Sequence, residues 1–383
     1  MTVNQVYSLL NSMAQQMYGD IAITVNDLTG LIQMGELTMN SSTDIDNFLG
    51  VLADRIGRVD LRTLDLALDF PKLYRNTFEW GAAVQKINIQ PMDAQEAESW
   101  NIGQPGFTPT NFKIDKPVVS VTYFKNAAAW EFDITIPDSA LKTAFTGAEA
   151  FGAFIDGIMQ SMTDSMTIAL NNMAHGALCA FVAEKVKNSN GVIHALTDYN
   201  TLAGTSYSAL SDAIRDAEFY RYVGLLIRNH IKYLSIPSTK YNTAGLIRST
   251  ARNNLHVLIN SAFWSGFETY LASDVFHDEL LRMPQFEEFI ALQGVGTGAG
   301  DIDADTFIDV IPPSEKGQLS PTAVSQPGVI CILADRAGIG FGYDDRFTAT
   351  DRNNRNRYTN YTSGATVQAY IDTSENGIII CGD

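Results

Sequence analysis

Three aspartates at alternate positions are the clearest candidates for metal chemistry. Asp301, Asp303 and Asp305 have the one-three-five spacing of a calcium loop, in which carboxylate oxygens surround a hard cation. The rest of that motif is missing, because Thr306 stands where the loop needs glycine and Pro312 where it needs glutamate. We therefore favour a solvated acidic loop, and we keep a metal-dependent enzyme that uses these aspartates as an alternative function.

A glycine-rich segment, residues 294–300, fits a relaxed dinucleotide-binding pattern. Such a loop cradles phosphate when it follows a buried strand and opens a helix. Here Glu287 and Glu288 precede the loop and indicate a helix, and Asp301 adds negative charge after it. We therefore predict a surface loop and no nucleotide cofactor.

The histidines and cysteines lack the spacing that metal binding or nucleophilic catalysis requires. No two histidines form an H-x-x-x-H pair, and no two cysteines form a C-x-x-C pair. We expect structural roles for them and a reducing compartment. The residues concerned are His175, His194, His230, His256, His277, Cys179, Cys331 and Cys381. With no catalytic constellation, the sequence predicts a protein that is not an enzyme and has no cofactor.

A basic cluster near the C-terminus consists of Arg352, Arg355 and Arg357. It has two interpretations, a solvated loop or a set of ion pairs with carboxylates of another copy of the chain. We carry these arginines forward as candidate intersubunit contacts.

Hydrophobic periodicity outlines the elements that position these residues. Apolar residues recur three or four apart between Val3 and Met17 and again from Ile45, with Gly57 as the predicted end of the second helix. A Gly- and Thr-rich connection joins the two helices. The first 45 or so residues have too little apolar surface for a core of their own, so they form an arm that lies on the rest of the chain or on a neighbouring subunit.

A projecting hairpin is predicted next. The β-rich runs Val84–Ile89 and Val118–Phe124 flank a polar segment, Met92–Lys116, that contains proline and glycine. A lone hairpin is marginally stable in water, so another copy of the protein is its natural support. Strict alternation in Trp130–Ile136 predicts a half-buried antiparallel strand.

The strongest periodic signal predicts one helix from about Gly147 to Lys187, roughly 60 Å long at the usual rise per residue. An α/β lobe follows, with a buried strand at Leu255–Ile259 and a helix at Ser261–Leu271. The remaining strand-like runs are Phe307–Ile311, Val329–Leu333, Val367–Ile371 and Ile378–Cys381.

Composition excludes several classes of function. The 383 residues are 45% hydrophobic and only 18% charged, with 43 Asp and Glu against 26 Lys and Arg and a net charge of -17. Such an acidic chain repels duplex DNA and anionic lipid, and its low charge leaves surface for other protein. It has no secretory signal and no run of 18 apolar residues that would span a membrane.

The order of arm, hairpin, long helix, α/β lobe and returning strands resembles the major capsid protein fold of tailed double-stranded-DNA phages, the Hong Kong ninety-seven fold. The details are most similar to short-tailed phages of the phi twenty-nine kind. The segments that carry this resemblance are Asp54–Gly57, Phe78–Gly81, Ile134–Ile136, Ala144–Phe145, Leu258–Asn260 and Val329–Asp335.

The resemblance implies an α+β fold with an N-terminal arm, an extended loop, a spine helix, and peripheral and axial domains. Its domains are the arm (1–45), the peripheral domain (46–80, 140–225 with the spine helix, and 321–383), the extended hairpin loop (81–139) and the axial domain (226–320).

The resemblance also implies a head protein of the virion that self-assembles, as pentamers and hexamers in the host bacterial cytoplasm, into an icosahedral shell around DNA that it does not read by sequence. Expected partners are a portal and scaffolding or decoration proteins, with no membrane. An encapsulin-type nanocompartment shell is the alternative within the same fold.

Overall fold

The computed structural model describes residues 2–19, 24–63, 69–74, 84–92, 116–124, 127–272, 286–290, 308–316 and 318–382, with residue 292 and single positions between 94 and 108. The helices in these residues are α1 (Val3–Tyr18), α2 (Leu28–Thr38), α3 (Ser42–Thr63), α4 (Asp138–Ala144), α5 (Ala148–Lys187), α6 (Ala195–Ala203), α7 (Leu210–Ala213), α8 (Ala217–Leu234) and α9 (Ser261–Ala272). The strands are β1 (Val84–Ile89), β2 (Val119–Phe124), β3 (Ala127–Pro137), β4 (Val192–His194), β5 (Leu255–Asn260), β6 (Phe286–Phe289), β7 (Ile308–Val310), β8 (Val324–Gln326), β9 (Val329–Asp335), β10 (Ile339–Asn353), β11 (Tyr358–Ile371) and β12 (Gly377–Cys381).

The chain divides into two compact units. The first contains residues 1–80, 127–175 and 340–369, and the second contains residues 81–126, 176–339 and 370–383. The helix α5 confirms the predicted long helix and contributes its N-terminal part to the first unit and its C-terminal part to the second.

The N-terminal arm packs on its own chain, which answers the question that the sequence left open. Val6, Leu10 and Met13 of α1 are buried in the core of the first unit, together with Phe48 of α3 and Phe151 of α5. The arm is therefore part of the fold of the first unit. The same unit contains the sheet β10-β11-β3, in which β3 pairs antiparallel with β11, as the alternation in residues 130–136 predicted.

Two predictions in the arm region were wrong. The connection between the first two helices contains α2, which the low helix propensity of its glycines concealed. Gly35 is useful there, because a Cβ added to it would lie 2.8 Å from Cβ and Cγ of Phe145. The next helix, α3, continues through Gly57 to Thr63, since a glycine inside a helix lowers its stability by about 1 kcal/mol without ending it.

Length and composition alone would let α5 cross a membrane, and half of its most apolar stretch is buried in the structure. Phe151, Ile155 and Met162 lie in the core of the first unit. In the second unit Phe181 and Val182 are fully buried. The apolar character of α5 thus serves the interior of the protein.

The second unit is built around a mixed sheet with the strand order β4-β12-β9-β5-β6. β9 is antiparallel to both of its neighbours, and the outer strands β4 and β6 run parallel to β12 and β5. Helices α6, α8 and α9 supply the apolar side chains that cover the sheet, among them Phe219, Val223 and Phe263. The predicted strand and helix at 255–271 are both confirmed.

The helix expected before the glycine-rich segment is instead the edge strand β6. Its glutamates have helix propensity, but pairing with β5 decides the conformation. Glu287 lies 2.9 Å from His256 Nε2, and Glu288 accepts a hydrogen bond from Ser261 at 3.0 Å. These partners come from a strand and a helix start that are distant in sequence.

The closing strands distribute over both units. β9 and β12 belong to the mixed sheet of the second unit, whereas β10 and most of β11 belong to the first. Residues 321–383, which the resemblance assigned to one domain, therefore contribute to two compact units.

The close contact at Gly35 gives a test of the first core. We expect Gly35→Ala to lower the free energy of unfolding by about 1–3 kcal/mol, because the added methyl group overlaps the buried Phe145. Gly157→Ala is the matched control, since no atom lies within 4 Å of its added Cβ, and it should stabilise the exposed face of α5 by about 0.5–1 kcal/mol. Urea denaturation of the unassembled protein measures both. Equal effects of the two substitutions would contradict this packing.

Candidate functional site

The predicted hairpin is confirmed as an antiparallel pair of strands, β1 and β2, whose register aligns Ile87 with Val121. Side chains of a strand alternate between the two faces of the pair. One face carries Lys86, Asn88 and Thr122 and is the less exposed face. Its charged and polar groups contact the rest of the second unit.

Four charged side chains at the base of the hairpin form what we call the base cluster: Lys86, Arg248, Asp372 and Glu375. The Lys86 ammonium forms ion pairs with Asp372 and, at 2.5 Å, with Glu375. The Arg248 guanidinium donates to the Asn88 side chain and lies 3.6 Å from Glu375. The carboxylates are almost entirely buried, so each needs its cation to remain charged without water.

The carboxylates of the base cluster are held by a rigid turn. The Asp372 N–H donates to the carbonyl of Gly338 at 2.7 Å, and its side chain accepts from the Ser374 N–H at 2.9 Å. Thr243 donates through its N–H to the carbonyl of Thr373 at 2.9 Å. The hairpin thus pairs with carboxylates that the turn itself holds in place.

A buried lysine lies close to Asp372 of the base cluster. Lys185, near the end of α5, donates to the carbonyl of Tyr241 at 2.7 Å and to the Asn190 side chain at 3.2 Å. Burial lowers the pKa of Lys185 from 10.5 to about 7, although the negative charge of Asp372 opposes this shift. An amine that can lose its charge near neutral pH therefore lies close to the base cluster.

The opposite side of the hairpin, which we call the apolar hairpin face, is exposed. Ile87 is 58% exposed and Ile89 is 61% exposed. The other members of this face are Val119, Val121 and Tyr123, all exposed. A strand pair that directs its charges inward and its aliphatic side chains outward reverses the usual pattern of a soluble sheet. Such a surface is typical of a binding site for another protein.

The sequence matches the family of Phi29-like phage major capsid proteins over residues 10–381. The chain belongs to this family. It is a phage major capsid protein, as the resemblance implied. No curated protein sequence matches it significantly.

Solved phage structures agree with the capsid fold. The capsid structure of Staphylococcus phage Andhra aligns with a TM-score of 0.53 at 8% identity, over 81% of this chain and 83% of that one. A chain from the structure of the head fiber and inner core protein gp22 of bacteriophage P68 aligns with a TM-score of 0.50 at 11% identity, over 82% and 85%. These likenesses confirm the Hong Kong ninety-seven fold. Nothing in them supports the encapsulin or enzyme alternatives.

The arginine cluster of the capsid protein has two kinds of member. Arg352 forms a bidentate ion pair with Asp138, at 3.0 and 2.9 Å, and this pair ties the end of β10 to the start of α4. Arg355 and Arg357 are exposed. The geometry therefore gives Arg352 a partner within its own chain and leaves the other two on the surface.

The other candidates of the sequence have structural partners or lie outside the described residues. Asp301, Asp303, Asp305, His277 and the glycine-rich segment are outside them. Within the described part of the chain, no group of three or more His, Cys, Asp or Glu side chains could hold a metal ion.

His175 and the three cysteines contact or lie among residues of their own chain. His175 lies 3.4 Å from Asp69 and packs edge-on against the Phe70 ring. All three cysteines are buried thiols, and burial raises the pKa of Cys179 to about 12. A thiol with so high a pKa is a poor nucleophile at neutral pH.

The base cluster was not predicted from the sequence. Its residues are far apart in sequence, and each is ordinary in its local context. The one available signal was the alternation within β1, where Lys86 and Asn88 share a face and Ile87 and Ile89 share the other.

Removing the Lys86 cation from the base cluster should make the hairpin less stable. Lys86→Met leaves Asp372 and Glu375 buried with one cation fewer, which we expect to raise amide hydrogen exchange in β1 and β2 about 10- to 100-fold. Gln85→Met is the control on the exposed face and should leave the exchange rates unchanged. Equal protection in the Lys86 variant and the wild type would show that the cluster does not hold the hairpin.

The low pKa of Lys185 predicts a dependence of stability on pH. In the folded chain Lys185 releases its proton above its pKa of about 7. In the unfolded chain the same amine keeps its proton until about pH 10. The free energy of unfolding therefore rises with pH between these two values. Relative to Lys185→Met, the wild type should gain about 2 kcal/mol in free energy of unfolding between pH 7 and pH 9. Urea denaturation at both values tests this, and parallel changes in the two proteins would contradict it.

Proposed function

We propose that copies of this capsid protein assemble, as pentamers and hexamers, into an icosahedral shell around double-stranded DNA, and that the apolar hairpin face packs on a neighbouring copy. The exposure of that face on a hairpin held by buried charges is the observation that carries the proposal. In a monomer, exposed aliphatic strands favour aggregation. In a shell, the same strands are covered by the next subunit.

The energetics suit assembly from many weak contacts. Complete burial of an isoleucine side chain contributes about 1.5–3 kcal/mol, and ordering and docking costs offset part of this gain. A single hairpin contact is therefore modest. A closed shell repeats the contact at every subunit, so that the assembled state becomes stable although each contact alone is reversible.

The net charge of -17 suits a container for DNA. An acidic wall does not trap the polyanion by counterion release. We propose that the protein encloses DNA without reading its sequence and has no enzymatic activity or membrane attachment. We also propose that it resides in the virion, after assembly in the host bacterial cytoplasm.

We assign the first compact unit to the peripheral domain with its arm, and the second to the axial domain with the extended loop. This assignment moves β9 and β12 from the peripheral to the axial domain, because they pair with β5 in the mixed sheet. Further partners that we propose are a portal and scaffolding or decoration proteins. Arg355 and Arg357 are exposed and suit contacts between subunits.

Polar substitutions on the apolar hairpin face test the proposal. The double variant Ile87→Ser and Val121→Ser removes two aligned aliphatic side chains, and we expect it to abolish closed shells in electron micrographs while the unassembled protein keeps its urea midpoint. Leu319→Ser is the control, because Leu319 is fully exposed and lies outside the hairpin, and it should assemble normally. Shells of normal yield from the double variant would refute this role of the hairpin.

A further inference from the structure

One stretch of this acidic chain contains no acidic residue. None of the 43 Asp and Glu residues, but six of the 26 Lys and Arg residues, lie in residues 219–267. The six are Arg221, Arg228, Lys232, Lys240, Arg248 and Arg252. Arg248 belongs to the base cluster. Arg221 pairs with Glu218 on its own helix, and the family and the hairpin contact assign no role to the other four.

Helix α8 presents part of this stretch as an exposed stripe, which we call the α8 outer face. Its members follow one another at intervals of three or four residues: Arg221, Leu225, Arg228, Lys232 and, just beyond the helix, Ile236. All five are exposed, Leu225 by 56% and Ile236 by 58%. The opposite side of the helix is the buried one, with Val223, Ile227 and Leu234 in the core.

The aliphatic members decide between two classes of partner. Nucleic acid contacts rest on phosphate charge and base edges, and Leu225 and Ile236 gain little from either. A protein partner uses both parts of the stripe, because its own apolar groups cover the aliphatic side chains and its carboxylates pair with the cations. The α8 outer face therefore fits a protein surface that is apolar and acidic.

Another copy of the same chain offers exposed carboxylates. The second unit exposes Asp198 on α6, Glu268 on α9 and Glu288 on the edge strand β6. Glu288, on the edge strand β6, belongs to a different element of the unit from the α8 outer face. Contacts between two different patches are heterologous, and repeated around an axis they close a ring.

From this geometry we propose that the α8 outer face is a second subunit contact, in which its cations pair with carboxylates of the next copy in a capsid ring and its aliphatic side chains pack on apolar groups of that copy. The inference rests on the proposed shell assembly and adds a site to the hairpin contact. Complementary charges of this kind set the register between subunits and speed their encounter, and added salt screens them.

The test compares two double variants of the full chain. Lys232→Glu with Leu225→Ser alters the α8 outer face. Lys316→Glu with Leu319→Ser makes the same chemical changes at exposed residues elsewhere. Sedimentation measures the protein concentration at which shells form. We expect at least a tenfold higher concentration for the first variant, no change for the second, and equal urea midpoints for both. The milder Lys232→Gln should give a smaller shift, which keeps the test valid if the first variant folds poorly.

The outcomes separate this inference from the proposed function. If the wild type forms no shells, the proposed function fails. If the wild type and the α8 variant form shells at the same concentration, or if both double variants fail alike, only the α8 contact is overturned. The inference also falls if unassembled wild type binds duplex DNA, and Lys232→Glu abolishes that binding while shells still form.

Discussion

The position of the hairpin in this capsid protein depends on one interaction. Lys86 forms ion pairs with the buried carboxylates of Asp372 and Glu375. Charges without water are stable only beside charges of opposite sign, so the hairpin is bound where its cation meets these carboxylates. Arg248 strengthens the arrangement by contacting both Asn88 of the hairpin and Glu375. The base of the hairpin thereby acquires one defined position on the second unit.

This anchoring explains why the hairpin is apolar on its outer side. A strand pair that docks through charges has its other face available for aliphatic side chains, and here that face consists of Ile87, Ile89, Val119, Val121 and Tyr123. Helix α8 also exposes aliphatic side chains, because its buried side makes the core and its exposed side mixes leucine with arginine and lysine. Both surfaces expose apolar side chains to water in a monomer. A subunit that is surrounded by copies of itself can bury them.

Local patterns predicted the elements well, and long-range contacts account for the errors. The sequence predicts α5, β3 and the hairpin strands correctly. In each element one face is buried, so apolar residues recur with the period of the helix or strand. By contrast, α2 was hidden by Gly35, whose missing side chain makes room for Phe145. The glutamates of β6 indicated a helix because their partners, His256 and Ser261, come from another part of the chain. The base cluster could not be predicted either, because its residues come from distant parts of the chain.

The most direct test of the central claim is photo-crosslinking from the apolar hairpin face in assembled shells. Tyr123 is exposed on that face and can be replaced by p-benzoylphenylalanine with little change in shape, with the same substitution at Phe124, on the inner side against Tyr370, as the control. We predict covalent dimers from position 123 and crosslinks within one chain from position 124. Crosslinks within one chain from both positions, in shells of normal morphology, would contradict the account.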